Sequence, residues 1–371
     1  YIIDEKNERI QTMNEHSSWS GYEEVARKAW RVFRKNHGLY SYASILALSA
    51  WERIGKFTRD EAILEESKQL AREYLAGRVP SVAGAYNSWI YQLGGNATAW
   101  LLARGYLPEA EEPLTAAAER LCREFPRDAD GLFSYPNRPG EFLWIDTVFA
   151  VCPFLVWVGK ATGRNDFIEE SVHQMLGHHK ALFSPETKLY HQVRNAGKLS
   201  AVWSRGVGWG VLAMSELCYD LPQDFPRRGE VQHALREVID GCLAVQDEQG
   251  MFHQCMEDPG SYPESSGTGL ILYGMGRGIK NGSLDREKVT GPFLRGLRGL
   301  SRYVALDGSV YHCCTGCLAP GDATIASYAT HPWKCNDIHA AGPIILAFGQ
   351  AEQLYINKLI PSFDEVMEGE K

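Results

Sequence analysis

Hydrophobic positions along this chain fall into two alternating kinds of segment. Tyr22–Asn36 is amphipathic, with Val25, Ala29, Trp30 and Phe33 recurring at helical spacing. Arg59–Gly77 carries Ala62, Ile63, Leu64, Leu70 and Tyr74 among polar residues, and Asn165–Leu182 and Val231–Gln246 have the same character. The second kind is apolar almost all round. Its clearest example is Phe142–Val156, a run of 15 residues with one carboxylate, Asp146, near its start. That length is too short to span a bilayer and predicts a helix buried on most sides. The helical runs end at Gly or Pro breaks: Gly55, Gly105, Gly163, Pro222 and Gly278.

A short phrase separates the segments: a turn, then apolar and aromatic residues with Ser, His or Asn. Copies begin at Gly38, Gly84, Gly131, Lys188, Gly250 and Gly308, at intervals of 46, 47, 57, 62 and 58 residues. Six copies of one unit predict a repeat architecture. Each unit reads as an outer amphipathic helix, a turn and an inner apolar helix. Six such pairs predict an all-α (α/α)6 barrel, with an open solenoid as the alternative. Alternation within the phrases is too short to predict a sheet. No linker or low-complexity segment divides the chain, so residues 1–371 read as one domain with a frayed acidic tail after Pro361.

Composition narrows the function. A net charge of -8 without a basic stripe argues against nucleic acid as a partner. The 10 Trp, 17 Tyr and 14 Phe suit a carbohydrate cleft as well as a core. No transmembrane run or signal peptide is visible, so no membrane partner is expected. The nine cysteines lack metal spacing apart from Cys314-Thr-Gly-Cys317, where His312 is the one adjacent ligand, and they read as free thiols rather than a zinc site. Free thiols favour a reducing, cytoplasmic setting. The triplets at Asn96 and Asn281 fit the glycosylation pattern and keep secretion open. Nothing requires a metal or organic cofactor, and a monomer or homodimer is expected.

The starts of the inner helices carry the candidate chemistry. They hold Ser41-Tyr42, Asn87-Ser-Trp89, Trp144 with Asp146, Trp203-Ser-Arg205 with Trp209, Glu264, and Asp337 with His339. In a closed ring all six lie at one mouth, which is the default site. A lone carboxyl in an apolar run is pushed towards its neutral form, as a general acid requires, although an N-cap or a satisfied buried Asp is the plain alternative. Arg205, between two tryptophans, offers a bidentate fork to a carboxylate or forms a structural Arg–Asp pair. His191 is a substrate-contact candidate in the preceding turn. His178-His179 reads as surface or capping, and Glu264, Asp337 and His339 as groups that bind each other or hold the ring closed.

Together, Trp144-Ile-Asp146-Thr, Gly159-Lys-Ala-Thr-Gly163, Leu189-Tyr-His191, Trp203-Ser-Arg205-Gly-x-Gly-Trp209, Tyr262-Pro-Glu-Ser-Ser-Gly-Thr268 and Asp337-Ile-His-Ala-Ala-Gly342 resemble glycoside hydrolase family 105. These are unsaturated rhamnogalacturonyl hydrolases, related to the unsaturated glucuronyl hydrolases of family 88. The likeness covers about residues 120–355 well and the first hundred loosely. It implies an (α/α)6 barrel and hydration of the C4=C5 bond of a terminal unsaturated uronic acid on a lyase-derived pectin or rhamnogalacturonan oligosaccharide. Asp146 resembles the family's catalytic aspartate, and His191, Trp203, Arg205 and Trp209 its substrate pocket. Asn87, Trp144 and His339 join them as substrate-binding candidates. One departure stands out: the family's second-repeat aspartate is missing, since no Asp or Glu occurs between Glu73 and Glu109 and Asn87-Ser88 takes the place. The alternatives are a glucuronyl hydrolase of other lyase products, an epimerase using His253 and His339, and a sugar-binding homologue with impaired catalysis.

Overall fold

The computed structural model describes residues 21–79, 89–135, 138 and 140–368. Within them, six mostly buried helices form an inner ring: α2 (Tyr42–Thr58), α5 (Gly95–Ala103), α7 (Asp146–Thr162), α9 (Ser204–Asp220), α11 (Ser265–Asn281) and α14 (Ala341–Ile356). Each packs against the next, and α14 packs against α2, so the ring is closed. This is the expected (α/α)6 barrel rather than a solenoid. Around it lie α1 (Gly21–Asn36), α3 (Glu61–Leu75), α6 (Glu111–Glu124), α8 (Asn165–Leu182), α10 (Arg228–Val245) and α12 (Arg286–Ser301). The outer helices bury one stripe only. In α12 that stripe is Val289, Phe293, Gly296, Leu297 and Leu300. A single turn, α4 (Trp89–Gln92), precedes α5.

The hairpins run from inner to outer helix, the reverse of the reading from sequence. Helices α2, α7, α9 and α11 pack on the outer helix that follows, and α1 closes the ring against α14. The reason is loop length. Two residues separate α2 from α3, with Asp60 capping α3 through Ala62 N (3.0 Å), whereas 21 separate α6 from α7. The long loops all precede inner helices, and they build the mouth. Close approach in the inner ring depends on glycine: a Cβ on Gly267 would lie 2.5 Å from the Ser204 carbonyl carbon.

The long loops also hold small strands that alternation did not predict. β1 (Phe142–Trp144), β2 (Val193–Asn195) and β3 (Lys198–Leu199) form an antiparallel sheet, with Trp144 opposite Val193. β4 (Cys313–Cys314) pairs with β5 (Trp333–Lys334), and the helical turn α13 (Ile325–Thr330) lies between them. Strands of two or three residues carry no period of their own, and tertiary pairing creates them.

Three further expectations change. The acidic tail is the short helix α15 (Phe363–Glu368), in which Val366 is buried and Phe363 packs edge-on to Tyr22 at 5.3 Å. His178 is fully buried with Nδ1 on the Gln174 carbonyl (2.9 Å), and burial lowers its pKa to about 4. Asn96 is also buried, donating to the Phe149 carbonyl at 2.8 Å, so its glycosylation triplet is not presented to solvent. All nine cysteines are free, and the described residues contain no group of His, Cys, Asp or Glu suited to a metal ion. No helix among them is long and apolar enough to cross a membrane.

The C-terminal halves of the inner helices close the far end of the barrel with a buried charge network. Glu216 accepts from Arg53 (2.8 Å) and Arg277 (2.8 Å), and Tyr273 donates a short hydrogen bond to it. Asp220 accepts from Arg104 (2.7 Å), Trp157 (2.7 Å) and Lys160 (2.9 Å). Burial alone would raise the Glu216 carboxyl, but Arg277 and Arg53 outweigh it and hold the pKa below its ordinary value. Removing one partner strands the others. Glu216→Ala is expected to cost about 3–5 kcal/mol of stability, read as a lowered midpoint in denaturant unfolding.

Candidate active site

Asp146 is the first residue of α7, placed by the strand pairing just before it. Trp144 sits opposite Val193, and the Ile145 amide donates to the Gln192 carbonyl at 3.1 Å. That register brings the Gln192 side chain to Asp146, where Nε2 donates to Oδ2 at 2.5 Å. Gln192 is fully buried, and it fits because residue 206 is glycine: a Cβ there would lie 1.8 Å from Gln192 Oε1. The first glycine of Arg205-Gly-x-Gly-Trp209 thus makes room for the glutamine.

Around the carboxyl lies a cavity of about 100 Å³ lined by Tyr42, Tyr91, Trp144, Asp146, Phe149, Trp209 and Cys317. Its walls are mainly aromatic. Trp209 stacks on Phe149 at 4.4 Å, Tyr42 on Tyr91 at 6.3 Å, and Trp144 lies edge-on to Tyr135 at 5.1 Å. Burial raises the Asp146 pKa to about 6, while the Gln192 donor and the Arg205 charge pull the other way. The group is therefore within reach of both protonation states near neutrality, which suits general acid–base work.

Arg205 is fully buried, with its guanidinium 4.3 Å over the Trp203 ring. Nη1 donates to the Cys314 carbonyl (2.7 Å) and Ser266 Oγ (3.0 Å), whereas Nε and Nη2 have no protein partner. Its anchors are a carbonyl and a hydroxyl, not the carboxylate of the structural alternative. Glu264 instead caps α11, accepting from the amides of Ser266 (3.0 Å) and Gly267 (2.6 Å), and it also receives the Cys314 amide (3.0 Å). Asp337 and His339 do bind each other, Oδ1 to Nδ1, at 2.6 Å.

The sequence candidates divide accordingly. Asp146, Trp144 and Trp209 line one cavity. His191 lies outside its wall, with Nδ1 on the Ser200 carbonyl at 2.5 Å. Neighbouring residues in extended chain point to opposite sides, so His191 turns away where Gln192 turns in. Trp203 also stands apart: it stacks on Tyr328 at 5.5 Å, bonds Gln254 at 3.1 Å, and supports Arg205. His339 is 8% exposed and meets the cavity only through Tyr42. Asn87 lies outside the described residues. His253 bonds Asp247 (3.1 Å) and the Ser261 carbonyl (2.6 Å) away from this wall, so the histidine pair an epimerase would need is not assembled. Sequence reasoning missed Gln192, Tyr91, Phe149 and Cys317, and it placed Tyr42 at the mouth without giving it a role. Strand alternation around His191-Gln192 was the available signal for the first.

Fold and site together define an (α/α)6 barrel with an aromatic-walled carboxyl pocket at one mouth. A model of Glycosyl Hydrolase Family 88 matches residues 5–355, and the chain belongs to that family. It is 28% identical over 175 residues to the unsaturated rhamnogalacturonyl hydrolase YesR of Bacillus subtilis (strain 168), covering 45% of this chain and 50% of that protein. The chain thus spans about half the length of that relative. Among solved structures, a family 105 glycoside hydrolase from C. acetobutylicum ATCC 824 superposes with a TM-score of 0.77 at 20% identity, covering 91% of this chain and 100% of the other. The unsaturated glucuronyl hydrolase from Bacillus sp. GL1, responsible for degradation of glycosaminoglycan, superposes at 0.66 with 13% identity, covering 92% and 97%.

Gln192 donates to the ionised form of Asp146 and so favours it. Gln192→Leu is expected to move the Asp146 midpoint above about 6, measured by carboxyl-selective NMR titration.

Proposed function

We propose that this protein is a glycoside hydrolase acting by hydration, adding water across the C4=C5 bond of a terminal unsaturated uronyl residue on short pectin- or rhamnogalacturonan-derived oligosaccharides. The observation that carries the reading is a single carboxyl, Asp146, with its pKa raised to about 6 in an otherwise neutral, aromatic-walled cavity. Attack at an anomeric carbon uses two carboxyl groups, whereas hydration of an enol ether needs one. Asp146 protonates C4, leaving an oxocarbenium ion shared by C5 and the ring oxygen. The ionised Asp146 then takes a proton from water as it adds at C5. The resulting hemiketal opens and expels the aglycone.

The cavity is small, about 100 Å³, and so favours the terminal residue of a chain over an internal one. Trp144 and Trp209 pack on the sugar. Arg205 is fully buried and does not itself line the cavity, but its Nε and Nη2 have no protein partner, so it is the group to hold a uronate carboxylate that reaches behind the wall, with Trp203 stacked on it. The name of the YesR relative supports a rhamnogalacturonan-derived substrate. A second reading, a glucuronyl hydrolase of other lyase products, is favoured by the likeness to the glucuronyl hydrolase from Bacillus sp. GL1. Turnover of unsaturated galacturonyl-rhamnose against unsaturated glucuronyl disaccharides separates the two.

Loss of the ultraviolet absorbance of the conjugated uronate is the assay, and binding without that loss would leave a sugar-binding protein. Asp146→Asn is expected to lower kcat by about 10²–10⁴-fold with the fold retained by circular dichroism. Near-normal turnover would remove Asp146 from the chemistry. Because the acid must start protonated, kcat/KM is expected to fall as pH rises through about 6. A rate that rises through that range would contradict the assignment.

A further inference from the structure

The first and last inner helices meet at a chain of three side chains that ends in the cavity. Asp337 Oδ1 accepts from the ring Nδ1 of His339 (2.6 Å) and from its backbone amide (3.1 Å). The other ring nitrogen, Nε2, lies 2.7 Å from the Tyr42 hydroxyl. Tyr42 shares the cavity wall with Asp146. Its ring is held on three sides, by Tyr91 at 6.3 Å, by Trp209 edge-on at 6.3 Å and by His339 at 5.4 Å.

The chemistry of the partners fixes the direction of this chain. A carboxylate only accepts, so the His339 proton sits on Nδ1. Burial and the nearby Arg205 charge lower the His339 pKa, so the ring is neutral near pH 7 and Nε2 is a bare lone pair. Tyr42 must therefore donate its proton to His339. Burial also raises the Tyr42 pKa, so it remains a phenol. The result is a neutral hydroxyl whose one proton is turned away from the cavity, leaving lone pairs as the only polar feature it can offer there. A phenol in this state accepts hydrogen bonds and cannot donate one.

We propose that Tyr42 is a catalytic residue that accepts a hydrogen bond from the water adding at C5, with His339 and Asp337 as positioning residues that fix its polarity. This rests on the proposed hydration. Once Asp146 has given up its proton, the water meets two acceptors, the Asp146 carboxylate and the Tyr42 oxygen. Both of its protons are engaged, and a lone pair is left to face C5. Asp146 takes one proton as the C5–O bond forms, and Tyr42 holds the other without receiving it. The chain supplies a second polar group on the wall without a second carboxylate, in a sequence that lacks an Asp or Glu between Glu73 and Glu109.

The test combines steady-state kinetics on an unsaturated disaccharide with ¹⁵N NMR of the histidine rings. Tyr42→Phe keeps the ring and removes the oxygen, and is expected to lower kcat by about 10²-fold with KM within a few fold. Asp337→Asn can donate to Nδ1, which moves the ring proton to Nε2 and turns the Tyr42 proton into the cavity. Its expected effect is a similar loss in kcat together with a ¹⁵N spectrum reporting the exchanged tautomer of His339. A raised KM with unchanged kcat in Tyr42→Phe would assign Tyr42 to a sugar hydroxyl and overturn the proposal, as would unchanged kinetics or a wild-type His339 protonated on Nε2. If the wild type hydrates no unsaturated uronide, the proposed function fails and the water role falls with it. An active wild type beside an unaffected Tyr42→Phe sinks the water role alone.

Discussion

A carboxyl group taken into an apolar wall must be neutralised or given donors, and Asp146 is given barely enough. It has the helix N-terminus of α7, one amide from Gln192 and the charge of Arg205 at a distance. Burial outweighs them, and the pKa rises to about 6 rather than to the fully neutral extreme. Much of the mouth serves that balance. The β1–β2 pairing delivers Gln192, Gly206 leaves space for it, and the Trp203 ring together with the Cys314 carbonyl fixes Arg205. A stronger donor set would lock the group as a carboxylate, and a weaker one as an acid.

The two ends of the barrel differ in how their charged groups are paired. At the far end both oxygens of Glu216 and of Asp220 are taken by Arg53, Arg277, Arg104 and Lys160, although Arg277 Nε and Glu52 Oε2 are left without a partner. At the mouth the polar groups are held in place but left with unused capacity: Arg205 keeps Nε and Nη2, and Gln192 keeps Oε1. Pairing inside the protein removes a group from chemistry, whereas an orphaned buried donor is a standing cost that a ligand can relieve. The difference follows from connectivity. Short inner-to-outer turns leave the far end to helix side chains alone, and long outer-to-inner loops bring extra strands and residues to the mouth.

Much of this was legible in the chain. The recurring turn phrase gave the repeat number, the buried runs gave the inner helices, and the isolation of Asp146 in Phe142–Val156 marked it as the group to explain. The errors were local and share a cause. His191 was named and Gln192 was not, because residue type was weighed before the side of the chain it occupies. Trp203 was placed in the pocket because motif proximity to Arg205 does not say which way a ring faces. His178 was read as surface although it is fully buried, with its ring held by the Gln174 carbonyl one turn back. The hairpin pairing was inverted because order along the chain does not reveal which neighbour a helix packs against.

The sequence by itself determined the helical repeat, its number and the residue most costly to bury, because these follow from periodicity and from the price of desolvating a charge. The tertiary structure alone decided what surrounds that residue. Gln192 is 46 positions from Asp146, and His339 is 297 from Tyr42. Contacts at such separations exist only once the ring has closed, since closure sets which loops share the mouth and which face of each strand looks inward. Asp146 could be found by reading along the chain. Its protonation, and the hydrogen bond that Tyr42 of the same cavity makes to His339, are properties of the closed barrel.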